Sequence, residues 1–275
     1  MPLIKSISGM RGTLGGTAGK SLTPIDIVGL TAAFGTWCLK QPGHKAIVIG
    51  RDARPTGPLI SQLVSSTLQS VGLNVIDVGL STTPTVALAI SDSQAPGGIM
   101  ITASHNPIEW NALKLFNATG ELLDTVAAAQ VFDLAAQADH VFAPLAALGS
   151  YLPHQGAIDQ HITQILALPL VDAPAIRNRQ FRVAIDAVNS TGALAVPQLL
   201  QALGVNDCTQ LFCTPNGEFP HNPEPLPEHL HTLTTVMQTG KYDLGLAVDP
   251  DVDRLVILDE KGVPWGEEYT LVAVA

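Results

Sequence analysis

Three short apolar runs punctuate the first hundred residues: KAIVIG (45–50), LNVIDVG (73–79) and GGIMIT (97–102). They are rich in Ile and Val and largely lack the apolar/polar alternation of a strand with one wet face. Such runs predict strands buried on both faces, as in a parallel sheet covered by helices. GPLISQLVSSTLQSVG (57–72) predicts the helix between the first two. Thr23-Pro24 predicts another helix start, with threonine at the N-cap and proline at the first helical position, followed by IDIVGLTAAFGTWCLK.

After residue 125 the pattern changes. AAAQVFDLAAQADHVFAPLAALGSYLP is alanine-rich and predicts helix, and HQGAIDQHITQILAL predicts a connecting helix. A second alternation follows: strand FRVAID (181–186), helix GALAVPQLLQALG (192–204), then strands DLGLAVD (243–249) and RLVILD (254–259), with DEKG as a hairpin turn. The halves read as weak repeats. AIVIGRDARPTGPL parallels RVAIDAVNSTGAL, and in each half a later strand runs into a polar loop, TASHNP in one and DPDVDR in the other. Under true duplication the two loops sit at the carboxyl ends of their sheets, where open α/β folds bind ligands.

At 275 residues the chain is comfortable for two domains, and 46% hydrophobic content indicates a well-buried globular protein. Net charge is −10 with only 14 Lys and Arg, which argues against a nucleic-acid surface. The three cysteines, Cys38, Cys208 and Cys213, make no disulfide framework and suit a reducing compartment. The N-terminal MPLIKSISGMRG lacks an apolar signal core and no apolar run approaches 18 residues, so the expectation is a cytoplasmic protein with no membrane partner.

Chemistry concentrates in a few segments. In LGLAVDPDVDRLVIL, Asp249, Asp251 and Asp253 alternate between two apolar strands. In an extended segment that spacing points all three to one side. Three carboxylates there repel one another and are costly to desolvate, and a hard cation such as Mg²⁺ offsets that cost. An EF-hand reading fails because Arg254 stands where glycine is required. A haloacid-dehalogenase-like phosphatase with Asp249 as nucleophile stays open, although Asp253 replaces the usual Thr or Val.

GMRGTLGGTAGKS is not a P-loop, since Leu14 occupies the position of the first required glycine. What it offers is Arg11 between glycines, in backbone able to approach a phosphate. GRDARPTG places Arg51, Asp52 and Arg54 after a strand, either as an internal ion pair fixing a loop or facing an anion. In TASHNP, Ser104 reads as a turn residue or as a phosphoryl carrier, with His105, Lys114 and Arg11 supplying charge and proton transfer. Phosphoryl transfer rests on positioning and charge neutralisation, so a metal site elsewhere is expected, and DPDVDR offers one.

TASHNP, DPDVDR, GMRG and GRDARPTG, in the chain together with NALKLF (111–116), DAVNSTG (186–192) and FPHNPEPLPEHL (219–230), resemble the α-D-phosphohexomutases, the phosphoglucomutase/phosphomannomutase family. Phosphoglucosamine mutases and bacterial phosphomannomutases look nearest. The resemblance implies two tandem α/β/α domains with mixed, mostly parallel sheets: 1–145 with the serine loop, 155–262 with the metal loop, and 263–275 as the start of a third. It implies Ser104 as the phosphoserine; Asp249, Asp251 and Asp253 as Mg²⁺ ligands together with a phosphoserine oxygen; Arg11 and Lys114 beside the transferring phosphate; and His105, Asn106, Arg51 and Arg254 facing substrate or its phosphate. The reaction it implies interconverts hexose 6-phosphate and 1-phosphate, with a hexose bisphosphate as intermediate and activator. Pro250 and Ala112 stand where relatives often have glycine. Relatives have four domains, so the resemblance also implies a shortened chain, lacking the third and fourth domains and incomplete as a mutase on its own. A non-catalytic metal- or phosphate-binding fragment is the other reading.

Overall fold

The computed structural model describes residues 3–138, 140–266, 269, 270 and 272. They form two compact units, one of residues up to 103 with 109–157, the other of residues 104–108 with those from 158 on.

The first unit runs β1 (Ile4–Ser6), β2 (Gly9–Thr13), α1 (Pro24–Cys38), β3 (Ala46–Arg51), α2 (Gly57–Val71), β4 (Asn74–Leu80), α3 (Thr83–Asp92), β5 (Gly97–Ile101), β6 (Trp110–Asn117), α4 (Thr125–Gln137) and β7 (Tyr151–Pro153). Its sheet has the order β1-β2-β6-β5-β3-β4-β7. The β5-β3-β4-β7 half is parallel and the β1-β2-β6-β5 half antiparallel. Period-two geometry decides where the apolar runs go. Ile47, Ile49, Ile99 and Ile101 pack with α1, α2 and α4, while Val48 and Met100 pack with α3 on the opposite face. Both faces are therefore dry, and a continuous apolar run is what such strands need. A side chain at Gly98 would meet Ile90 Cδ1 at 2.4 Å, so glycine lets α3 lie close on β5.

The second unit contains α5 (Ala157–Leu166), α6 (Ala173–Arg179), β8 (Arg182–Asp186), α7 (Gly192–Ala202), β9 (Asp207–Leu211), α8 (His231–Thr239), β10 (Leu244–Val248) and β11 (Leu255–Leu258). Its strand order is β11-β10-β8-β9. Ala184 and Ala247 face α8, whereas Val183, Ile185, Leu244 and Leu246 belong to the cluster on the α7 side. This sheet repeats β6-β5-β3-β4 of the first unit strand for strand, with the same parallel and antiparallel pairings. The topology thus carries the repeat seen in the sequence, and Ser104 and Asp249 follow equivalent strands.

Two expectations change, and one unassigned segment becomes a strand. The alanine-rich segment is helical only to Gln137; Ala138 then turns left-handed at φ 52°, and residues 151–153 form β7 on the edge of β4. Tertiary hydrogen bonds override the alanine propensity here: Ala143 N–H donates to Ser70 O at 2.8 Å, Gly149 N–H to Gln69 O at 2.9 Å, and Val75 N–H to Ser150 O at 2.8 Å. GMRGT, a segment with no strand pattern in the sequence, is β2, paired with β1 and β6. Residues 249–253 are not extended but form the turn between antiparallel β10 and β11. The DEKG turn is present, with Gly262 N–H donating to Asp259 O at 2.9 Å. Of the proposed start of a third domain, residues 267, 268, 271 and 273–275 lie outside the described residues.

Candidate active site

The turn after β10 is organised by Asp249. Its Oδ1 accepts from the backbone N–H of Asp253 and of Arg254, each at 3.1 Å, and its carbonyl accepts from Val252 N–H at 3.1 Å. Val252 adopts φ 59°, a left-handed conformation costly for a β-branched residue. This turn, rather than strand alternation, brings the three carboxylates together: one oxygen from each of Asp249, Asp251 and Asp253 lies within 4.8 Å of the others. Asp249 and Asp251 are fully buried and Asp253 is exposed. A second loop braces the turn from below. Ser190 Oγ and Thr191 Oγ1 both donate to the buried carbonyl of Pro250, at 2.7 and 2.8 Å.

Ser104 reaches this cluster from a sequence separation of 145 residues. Its hydroxyl donates to Asp249 Oδ2 at 2.7 Å and lies 3.5 Å from Asp253 Oδ1. Ser104 itself is left-handed at φ 51°. His105 Nδ1 lies 3.3 Å from Ser104 Oγ, and its Nε2 is 4.0 Å from Glu224 Oε1. Glu224 Oε1 also accepts from Arg254 Nη1 at 3.1 Å. Asn106 sits in the same turn as Ser104.

Burial pushes the Asp249 carboxyl well above the usual carboxylate range, and the charges of Asp251 and Asp253 push it further, while the Ser104 hydroxyl pulls the other way. An all-oxygen set of crowded carboxylates, two of them buried, is the chemistry of a hard divalent cation site, and the residues fit Mg²⁺.

The remaining sequence candidates lie in the first unit. Arg11 on β2 pairs with Ala112, and Lys114 stands two residues further along β6, so both project from one face of the sheet. Arg11 Nε is buried with no hydrogen-bond partner among the described residues. Arg51 is held within its own unit: Nη1 donates to Asp52 O at 3.3 Å and Asp77 is a neighbouring charge, with burial lowering its pKa. Asp52 and Arg54 are the internal pair that the sequence left open, fully buried at 3.0 Å. Glu224 was not among the sequence candidates, because its partners Arg254 and His105 are remote in sequence and a Pro-Glu-Pro segment carries no periodic signal.

Residues 4–142 match the family described as phosphoglucomutase/phosphomannomutase, alpha/beta/alpha domain I, and residues 159–262 match its alpha/beta/alpha domain II. The chain is 36% identical over 271 residues to the Thermococcus kodakarensis protein named phosphoglucomutase/phosphomannomutase, covering 96% of this chain and 58% of that one. It is 32% identical over 259 residues to the phosphoglucosamine/phosphogalactosamine mutase of Sulfurisphaera tokodaii, covering 92% and 55%. The crystal structure of a phosphoglucomutase/phosphomannomutase family protein from Burkholderia thailandensis superimposes with a TM-score of 0.78 at 26% identity, covering 95% of this chain and 56% of that one. The chain thus spans about half the length of these relatives. Every strand of the two sheets except β7 falls within a matched domain, and the chain belongs to the phosphoglucomutase/phosphomannomutase family.

Proposed function

We propose that this chain carries the phosphoryl-transfer half of a Mg²⁺-dependent phosphohexomutase, with Ser104 as the phosphate carrier. The observation that carries this reading is the 2.7 Å contact between Ser104 Oγ and Asp249 Oδ2, which sets a strained, part-exposed serine on a carboxylate cluster. Asp249, Asp251, Asp253 and a phosphoserine oxygen would hold Mg²⁺, which when bound neutralises charge on the phosphoryl group.

The phosphoryl group passes from Ser104 Oγ to a free hydroxyl of a hexose monophosphate, breaking the serine ester and making a hexose bisphosphate. After the sugar turns end for end, Ser104 Oγ accepts the other phosphoryl group. Arg11 and Lys114 supply positive charge, Arg254 faces the phosphate, and His105, 3.3 Å from Ser104 Oγ, is placed to exchange its proton. Asn106 and Arg51 are assigned to the substrate side. The reading keeps the domains at 1–145 and 155–262, with 263–275 opening a third. The names of the relatives favour an amino- or neutral-hexose phosphate as substrate. The protein is read as cytoplasmic; no helix among the described residues is long and apolar enough to cross a membrane.

Intact-mass measurement after incubation with glucose 1,6-bisphosphate and Mg²⁺ tests this. A single phosphate adduct that disappears in Ser104→Ala is expected. An adduct that survives Ser104→Ala and sits on Asp249 would turn the assignment to the phosphatase chemistry, and no adduct would leave a binding fragment.

A further inference from the structure

We propose that Glu224 is a positioning residue of this site, holding the Arg254 guanidinium and the His105 ring in the orientation that meets the phosphoryl group on Ser104. The proposal rests on the phosphoryl-transfer reading above. Its core is a line of contacts: Ser104 Oγ to His105 Nδ1 at 3.3 Å, His105 Nε2 to Glu224 Oε1 at 4.0 Å, and Glu224 Oε1 to Arg254 Nη1 at 3.1 Å. The carboxylate is 31% exposed, so it has water available and still faces the Arg254 guanidinium and the His105 ring.

The loop carrying Glu224 is unusually well tied. Glu224 N–H donates to Asn222 Oδ1 at 3.1 Å, and the Glu224 carbonyl accepts from Leu226 N–H at 2.8 Å and meets His229 Nδ1 at 2.8 Å. One step back, His221 bridges the Asn222 carbonyl at 2.8 Å and the buried Asp186 carboxylate at 2.9 Å. Glu224 therefore projects from a fixed backbone. A flexible arginine held by a fixed carboxylate loses little further freedom when it engages an anion, which is how preorganised donors act.

The electrostatics make the role testable by sign. A fourth carboxylate beside Asp249, Asp251 and Asp253 by itself repels a phosphate dianion. If Glu224 were only a nearby negative charge, removing it would ease phosphate approach. If it positions Arg254 and His105, removing it slows transfer.

The rate of Ser104 phosphorylation is measured against glucose 1,6-bisphosphate concentration for the wild-type chain, Glu224→Gln and Glu224→Ala. The maximal rate is expected to fall by about 100-fold in Glu224→Ala, the scale of misplacing a catalytic group, and by less in Glu224→Gln, which keeps the acceptor oxygen. Half-saturation is expected to move much less than the rate. Unchanged or faster transfer in both variants overturns the proposal. A ligand-independent arm follows the Arg254 Nη–H signals by NMR, expected to be protected in the wild type, where Nη1 donates to Glu224 Oε1, and to merge with exposed arginines in Glu224→Ala. Should the wild type take up no phosphate, the phosphoryl-transfer reading fails, and an Arg254 signal unchanged in Glu224→Ala then overturns the positioning role as well.

Discussion

Arg54 and Asp52 form a fully buried ion pair that ties down both ends of the segment bearing Ser104. Arg54 Nε meets Asp52 Oδ2 at 3.0 Å. The same Asp52 oxygen accepts from Thr102 Oγ1 at 2.6 Å, just before the loop, and Arg54 Nη1 donates to Trp110 O at 3.1 Å, just after it. Arg54→Ala strands Asp52 without its counter-charge and frees the Trp110 carbonyl. Urea unfolding is expected to show a loss of about 3–5 kcal/mol, the range for breaking a buried pair. Asp52→Asn combined with Arg54→Met is expected to recover part of it, because the buried charge of Asp52 goes together with that of Arg54. A loss below about 1 kcal/mol in the single variant contradicts the clamp.

The carboxylate cluster predicts opposite signs for one substitution with and without metal. Asp249→Asn removes a charge crowded by Asp251 and Asp253, so in chelator the melting temperature is expected to hold or rise. In the wild type Mg²⁺ at 100 times its dissociation constant is expected to add about 2.7 kcal/mol, and Asp249→Asn is expected to lose most of that gain. Thermal melts with EDTA and with Mg²⁺ check both halves.

Ser190 and Thr191 set the metal turn through the Pro250 carbonyl. Ser190→Ala with Thr191→Val removes both hydroxyl donors and leaves that buried acceptor the long backbone N–H of position 191, 3.4 Å away in the wild type. Each lost bond is worth about 1 kcal/mol, so if both act on the metal turn calorimetry is expected to show Mg²⁺ affinity reduced by up to about 30-fold in a chain that still folds. Unaltered affinity would remove the brace from the account.

His221 is expected to impose a pH dependence on stability. Burial alone would lower its pKa, but the Asp186 carboxylate at 2.9 Å and the Asn222 carbonyl raise it overall. Both ring nitrogens face acceptors, which only the doubly protonated ring satisfies. A folded pKa raised above the unfolded one means the contribution is complete below the unfolded value of about 6.5 and fades as pH rises through the folded value. Denaturant titrations from pH 5 to 9 are expected to show that slope in the wild type and its flattening in His221→Gln.

Much of the fold was legible from local pattern. Ile47, Val48 and Ile49 announce a strand dry on both faces, and Thr23-Pro24 announces a helix whose cap the structure shows, with Thr23 accepting from Asp26 N–H. The segment from 138 to 153 was not legible, because alanine favours helix locally while its hydrogen bonds are made to Ser70, Gln69 and Val75, far back in the chain. Strand β2 hid for a related reason: its glycines give no strand pattern, and only pairing with β1 and β6 makes GMRGT a strand. In the site, the three acids between apolar strands were visible as a cluster, but Glu224 was not, since neither its loop nor its partners repeat with any period.

By itself, then, the sequence marked the apolar runs that become the central strands, hinted that two such halves repeat, and showed that acids gather between the last two apolar strands. These are local properties, written in the spacing of side chains two or four residues apart. Only the tertiary structure decided the strand order, the turn that gathers Asp249, Asp251 and Asp253, and the meeting of Ser104 with Asp249. Spacing along a chain fixes the face a side chain takes but not the partner it meets, and contacts separated by 145 residues form only when the sheets have paired and their helices have closed over them.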